Sequence, residues 1–411
     1  MHDRPATPSG SADRRWLLAA SFVRAVATGA LGILLGIYLP ALGVDLRRSG
    51  LIITLGLAGV AVAALFATLV ADRFGRRRFL ILSASVSALG GLVAALLSDW
   101  RLLAVAAFAG GLNGMGRDRG AGLVLEQAAL PATVGAGERT KVFAWYNVLQ
   151  DIGHALGGLV AGLVTVLEKQ ASMGTLEAVR TVLLVYPAAL ALGVVFYSRL
   201  SPAAEAPRAG ARSPLTPATR RILWHISALF AVDSVAGGFL TSALLTYYFF
   251  ERYAASALAI GVLFAAARVL NAFSHLGAAW LSQRIGLVRT MVFTHIPSSL
   301  LLVTVAFAPS FPVAAALFLL REALVEMDVP TRQSYVMAMV RSEERTAASG
   351  VTNIVRMAGW AVGPVLTGGL MAGTALAAPL YIGAGLKVAY DLALWRAFRH
   401  RRPPEEDARA R

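Results

Sequence analysis

Long apolar stretches alternate with short polar ones along the whole chain. Many of the apolar stretches reach the ~20 residues that a helix needs to cross a bilayer. Twelve spans are expected, near 16–40, 51–71, 79–98, 102–130, 142–168 and 177–199, then 220–250, 258–282, 290–308, 312–340, 347–371 and 377–398. Between the sixth and seventh stands SPAAEAPRAGARSPLTPATRR, whose Pro, Ala and Arg read as a flexible linker. The expected organisation is a tail (1–15), a six-helix half (16–199), a linker (200–219), a second six-helix half (220–398) and a tail (399–411). The fold class that follows is an all-α polytopic membrane protein of twelve transmembrane helices.

Composition agrees with that pattern. Hydrophobic residues make up 57% of the chain and the mean hydropathy is +0.65, above the ~45–50% apolar content of soluble domains. Cysteine is absent, which excludes disulfides, thiolate metal sites and cysteine nucleophiles. The net charge of +15 could suggest nucleic acid, but its placement points to a lipid surface instead. Outside the spans, 24 basic residues fall on the side of the termini and linker and six on the other, so both termini are expected in the cytoplasm. Arginine outnumbers lysine 35 to 3, the bias of a GC-rich bacterium, and the expected location is the bacterial cytoplasmic membrane.

A shift of 206 residues lays ERTKVFAWYNVLQDIGHALGGLVAG, from Glu138, on ERTAASGVTNIVRMAGWAVGPVLTG, from Glu344. Glu138, Arg139, Thr140, Asn147, Gly153, Gly157 and Gly162 recur as Glu344, Arg345, Thr346, Asn353, Gly359, Gly363 and Gly368. Span five therefore corresponds to span eleven. Repeated halves with a binding site at their interface are a transporter signature.

Six plus six spans, a basic central loop, and VADRFGRRRFL between spans two and three resemble the major facilitator superfamily, in particular its bacterial drug/proton antiporter-like branch. Asp72, Gly75, Arg76 and Arg77 match the family's cytoplasmic loop motif. Its second-half counterpart SQRIGLVR keeps Arg284, Gly286 and Arg289 but has Gln283 in place of the acid. The resemblance implies that Asp72 helps lock a cytoplasmic gate, by accepting from the positive end of a helix in the other half. The loop arginines would lie at the anionic lipid surface. Gly153, Gly157, Gly158 and Gly162 resemble the antiporter motif of span five and form a close-packing face. Gly158 stands where that motif has Pro, and the Gly-Pro pair appears in span eleven as Gly363 and Pro364, with Gly359 and Gly368 flanking it.

With the loops and span ends set aside, eight bases and eight acids remain in the span interiors, eleven of them on spans one, four, seven and ten. An unpaired charge at the bilayer centre costs at least ~2.5–3.5 kcal/mol, so mutual pairing is expected. In the family these four spans line the central cavity, while three, six, nine and twelve face outward. The candidates for the substrate or proton pathway are Arg24, Arg117, Arg119, Asp151, Asp233, Arg321, Glu322, Glu326 and Asp328. Proton coupling would use a carboxylate among Asp233, Glu322, Glu326 and Asp151; His154, His225, His275 and His295 read first as packing residues. Lys387 and Asp391, four apart, are expected to pair with each other. The shift of 206 places Glu126 on Arg332, and these two are expected to pair when the cytoplasmic side is closed and to separate when it opens, as a second gate element.

The function expected is secondary active transport of a small organic solute by alternating access, as proton-coupled efflux by a monomer. Uptake of an organic anion through Arg24, Arg117, Arg119, Arg268 and Arg321 is the nearest alternative; a non-transporting receptor or an embedded enzyme is more remote. The chain has no HExxH, GxSxG or Walker phosphate loop, so no cofactor, metal or ATP is expected.

Overall fold

The computed structural model describes residues 8–117, 120–134, 139–202, 216–340 and 344–399. Seventeen α-helices fall on the twelve expected stretches. In chain order, α1 (Pro8–Ala41), α2 (Leu46–Phe74) and α3 (Arg76–Leu96) are continuous. The fourth stretch is α4 (Trp100–Gly110) and α5 (Ala121–Ala129), and a 3-10 turn, Leu130–Thr133, follows it. The fifth is α6 (Arg139–Ala161) with α7 (Leu163–Gln170), and the sixth α8 (Thr175–Leu183) with α9 (Val185–Ser198). The seventh is α10 (Pro217–Gly238) with α11 (Ser242–Tyr253); α12 (Ala257–Ile285) and α13 (Leu287–Phe307) follow unbroken. The tenth is α14 (Phe311–Val325) with α15 (Asp328–Met339), and α16 (Arg345–Gly373) and α17 (Ala378–Phe398) complete the chain.

Nine helical segments among the described residues are long and apolar enough to cross a membrane. The three expected spans outside that set are four, ten and twelve. Four and ten are broken, and ten and twelve carry several charges in their interiors. Backbone that leaves the helix inside lipid must find its hydrogen bonds within the protein, and each break does so in its own way.

Span four was expected to run unbroken over 102–130. It opens instead after Gly110, where Gly111 and Gly116 take positive φ of 60° and 66°. Asn113 organises the break: its Oδ1 accepts from Met115 N at 2.9 Å and its Nδ2 donates to the Arg117 carbonyl at 2.5 Å. The start of α11 caps the same segment, with Ala243 N donating to Gly114 O at 3.0 Å and Ser242 Oγ to Met115 O at 2.8 Å. Span ten breaks at Glu326–Met327 because Pro330 has no N–H to return to the Glu326 carbonyl. Val329 N takes that carbonyl instead, at 3.2 Å. Pro187 has the same effect on Leu183 in span six.

The described residues form two compact units. The first contains α1–α9, α11 and the start of α12, and its core gathers Leu17, Leu80, Leu125, Tyr146 and Tyr197. The second contains α10, the rest of α12 and α13–α17, around Phe230, Met291, Tyr335, Tyr390 and Phe398. The sequence repeat makes the same close helix pair in each. In the first unit, α6 lies on α1 so tightly that a Cβ on Gly153 would stand 2.9 Å from Phe22 O, and one on Gly157 2.7 Å from Ala30 N. In the second, α16 lies on α10, and a Cβ on Gly359 or Gly363 would meet Ala231 O at 3.1 Å or Phe239 N at 2.7 Å. Gly158 and Gly162 turn toward Gly261 and Leu258 at the start of α12. Pro364 is accommodated inside α16, with Gly368 buried one turn on.

Candidate functional site

Each unit buries one carboxylate as the centre of a charge cluster. In the first unit that carboxylate is Glu126 on α5, fully buried. It forms an ion pair with Arg24 of α1 and accepts from two phenols, Tyr146 of α6 at 2.8 Å and Tyr197 of α9 at 2.6 Å. Gln150, one turn on from Tyr146, donates to that tyrosine's hydroxyl at 2.9 Å. Three charge-assisted or hydroxyl donors converge on this one carboxylate and replace the water it gives up on burial. Arg24 also lines a cavity of about 220 Å³ with Thr28, Asn113, Tyr186 and Tyr197.

In the second unit the centre is Asp233 on α10. Its Oδ2 accepts from Arg332 of α15 at 3.1 Å and its Oδ1 from Lys387 of α17 at 2.9 Å. Arg332 also holds Asp328, four residues earlier, at 2.6 Å, and its guanidinium lies over the Phe230 ring. Lys387 Nζ stands 3.3 Å from His295 Nε2, and His295 Nδ1 lies 2.9 Å and 3.0 Å from the two carboxylate oxygens of Asp391. Six side chains from four helices are thus joined in one buried chain. Arg321 and Glu322 form a separate ion pair on α14, and Asn271 of α12 donates to Glu322 at 3.2 Å.

One expected pairing is overturned. Within the first unit Glu126 pairs with Arg24, and within the second Arg332 pairs with Asp233 and Asp328. Lys387 and Asp391 have the spacing of a helical pair, yet Lys387 reaches Asp233 and Asp391 reaches His295. Both side chains are buried, and facing other helices places their partners there. Spans nine and twelve, expected to face outward, thereby carry three of the six linked groups.

Asp233, Asp328 and Arg332 come together as one cluster, Arg24 and Glu126 as another, and Arg321 with Glu322 as a pair. Glu326, half-buried, ends α14 at the break, and Arg117 lies half-buried in the break of span four. Asp151 is half-buried on α6. Arg119 lies outside the described residues. So does the side chain of Asp72, whose backbone belongs to the last turn of α2. After it, Gly75 takes φ 103°, and Gly286 takes φ 89° at the matching turn before α13. Arg76 and Arg77 donate to the Ala128 carbonyl at 3.1 Å and the Ser198 carbonyl at 2.6 Å, at the ends of α5 and α9. Those loop arginines therefore neutralise helix C-termini. Of the histidines, His295 joins the network, His154 is buried, His275 is half-buried, and His225 is exposed with Nδ1 2.7 Å from the Arg221 carbonyl.

Sequence reasoning missed Tyr146, Gln150, Tyr197 and the linking role of His295. The available signal was the Tyr-x-x-x-Gln spacing on span five, which puts two polar groups on one helix face. It also passed over the polar end of the repeat: Glu344 is buried and accepts from Thr216 N and Thr219 Oγ1, both at 2.5 Å, at the first turn of α10.

Apolar spans, a glycine-packed repeat and paired charges held inside two helical units are the construction of a secondary transporter. The family model of the Major Facilitator Superfamily matches residues 17–364 and again 234–411, and the chain belongs to that superfamily. An uncharacterised membrane protein of Saccharomyces cerevisiae, YJR124C, is 27% identical over 418 aligned positions that cover 93% of each chain. Among solved structures, the nucleoside transporter NupG is similar with a TM-score of 0.73 and 16% identity, covering 95% of this chain and 100% of that one. A bacterial homologue of the iron transporter ferroportin, in an inward-facing state, gives 0.71 and 13% over 93% and 98%. The D-xylose-proton symporter gives 0.68 and 15% over 94% and 96%. At these identities the solved structures share the fold.

Proposed function

We propose that the chain exports a small organic solute in exchange for protons, by alternating access, across a bacterial cytoplasmic membrane with both termini in the cytoplasm. One observation carries this reading. Span one is tied to span four by Arg24–Glu126, and span seven to span ten by Asp233–Arg332, so each unit bonds its corresponding helices through a buried ion pair. Buried ion pairs are expensive and retained where they set a conformational choice. Asp233, Glu322 and Asp328 supply carboxylates for proton exchange, and the loop of Asp72, Gly75, Arg76 and Arg77 supplies a cytoplasmic latch. The glycine face of α6 and α16, with the likeness of span five to the antiporter motif, favours export.

Uptake of an organic anion is the second reading. It is weakened because Arg24, Arg321 and Arg332, the cations it would rely on or border, already hold Glu126, Glu322, Asp233 and Asp328. Inverted vesicles with an internal pH probe separate the two. Under export by exchange, adding substrate alkalinises the acidified interior. Absence of any proton movement with a transported compound would remove coupling. Cysteines placed at Ala209 and Ser172 test the orientation. An impermeant thiol reagent should label only position 172 in intact cells, and the reverse pattern inverts the topology.

A further inference from the structure

The chain of charges in the second unit does not stop at the Asp233–Arg332 pair. It continues through Lys387 to His295 and Asp391, on α13 and α17. An ammonium group can only donate hydrogen bonds. Lys387 Nζ, 3.3 Å from His295 Nε2, therefore makes that nitrogen the acceptor. The single proton of the neutral ring must then sit on Nδ1, where it donates to Asp391. Contacts on both sides fix the tautomer.

We infer that His295 and Asp391 together form a proton-binding site off the Asp233–Arg332 pair, and that a proton arriving there releases His295 from Lys387 and so resets the hold of Lys387 on Asp233. This rests on the proton-coupled reading above and gives it a location. The proton is delivered from hydronium, whose O–H bond breaks as an N–H or O–H bond forms, and water leaves. On the imidazole it occupies Nε2, which then presents an N–H to the ammonium at 3.3 Å, with Asp233 Oδ1 4.0 Å away, so the two cations compete for that carboxylate. On Asp391 it faces the ring, because both carboxylate oxygens lie within 3.0 Å of Nδ1. The acid then donates to Nδ1 as the ring's own Nδ1 proton leaves to water and hydronium supplies one to Nε2, a net gain of one proton, and the same confrontation follows. Either way Lys387 loses an acceptor and keeps Asp233, which Arg332 of α15 also grips.

The surrounding charges make this occupancy exchangeable. Along the bonded chain, Asp233 of α10, Asp328 of α15 and Asp391 of α17 face two cations, Arg332 and Lys387, with His295 neutral. One negative charge is in excess within the chain, and one proton cancels it. Outside the chain, Arg356 of α16 lies over the Trp360 ring, Arg321 of α14 is held by Glu322, and Tyr390 of α17 meets the His295 ring edge-on. The loaded and empty states thus differ by a single charge among many.

The test uses full-length protein with ¹⁵N-labelled histidine in lipid nanodiscs, titrated across the range in which histidine ordinarily ionises. The His295 signals are identified by their loss in His295→Gln. The expected result is an Nδ1–H neutral ring at the alkaline end and a protonated Nε2 at the acid end. Proton uptake, counted with an indicator dye, should fall by one per chain in His295→Gln and in Asp391→Asn, and be kept in Asp391→Glu. Lys387→Met should displace the His295 midpoint, while His225→Gln should leave it in place. Unchanged uptake in both loss variants overturns the inference, as does a ring that keeps one form throughout. If neither loss variant folds, the wild-type tautomer decides, and an Nε2–H ring at the alkaline end rejects the site. Proton flux in vesicles is read separately: flux kept in both loss variants rejects this site and leaves coupling intact. Titration at His295 without flux in the wild type rejects coupling and leaves the site.

Discussion

Glu126 and Asp233 are the buried carboxylates of corresponding helix pairs, spans one and four and spans seven and ten, yet their surroundings differ in kind. Glu126 has one guanidinium and two phenols, a closed set around a single carboxylate. Asp233 sits in a chain where Arg332 can fall back on Asp328 and Lys387 on His295. The charge order is also reversed, with the cation on span one in the first unit and on span ten in the second. A closed set resists rearrangement because any change strands a charge. A branched set has alternative partners, so rearrangement is cheap there. The comparison assigns rigidity to the first unit's cluster and switching to the second's.

Removing one partner from each centre should break the symmetry most. Arg24→Met leaves Glu126 buried without its cation, a loss expected to cost about 3–5 kcal/mol and to abolish transport. Asp233→Asn should also stop transport but destabilise clearly less, since Arg332 retains Asp328. Melting midpoints of the two purified variants check this, and equal losses would erase the distinction between closed and branched clusters. The double exchange Arg24→Glu with Glu126→Arg should recover part of the stability lost in either single exchange.

The next largest effect concerns the phenols. Tyr197→Phe removes a 2.6 Å bond to a charged acceptor, expected to cost about 1.5–3 kcal/mol. Tyr146→Phe removes the 2.8 Å bond and strands Gln150 as well. Both should lower the melting midpoint, with Tyr146→Phe the more damaging. A neutral outcome for both would mean that Arg24 alone holds Glu126.

These two clusters were unequally legible in the sequence. The helices could be read because lipid accepts only self-satisfied backbone, so apolar length alone marks most spans. Their breaks could not be read so easily. Pro330 was visible, but its effect falls four residues earlier, at Glu326, and the Asn113 turn depends on side-chain bonds that no hydropathy pattern carries. The pairing of intramembrane charges was legible as a rule and illegible in detail. Lys387 and Asp391 share a helix face by spacing, but which neighbouring helix each meets depends on rotation and tilt. The same holds for Glu126 and Arg332: the repeat equates their positions but carries no sign of the partner each has within its own unit, Arg24 for one and Asp233 with Asp328 for the other. His295 was the costliest omission, because a lone histidine in an apolar stretch carries no sign of Lys387 and Asp391 beside it.

The smallest expected effect isolates what the loop between α2 and α3 adds to the first unit. Gly75 and Gly286 occupy matching turns with φ of 103° and 89°. A Cβ at positive φ crowds the adjoining carbonyl, so Gly75→Ala and Gly286→Ala should each cost about 1–2 kcal/mol. The backbone penalty is nearly the same in both halves and serves as an internal control. The loops themselves differ. Beside Gly75 stand Asp72 and the two arginines that cap α5 and α9, whereas Gln283 replaces the acid beside Gly286. If the first loop latches the cytoplasmic side, Gly75→Ala should slow transport several-fold more than Gly286→Ala at matched stability. Asp72→Asn, which leaves the turn untouched, should reproduce that slowing without the loss of stability. Equal transport rates in the two glycine variants, with wild-type rates in Asp72→Asn, would reduce the loop motif to a turn and two helix caps.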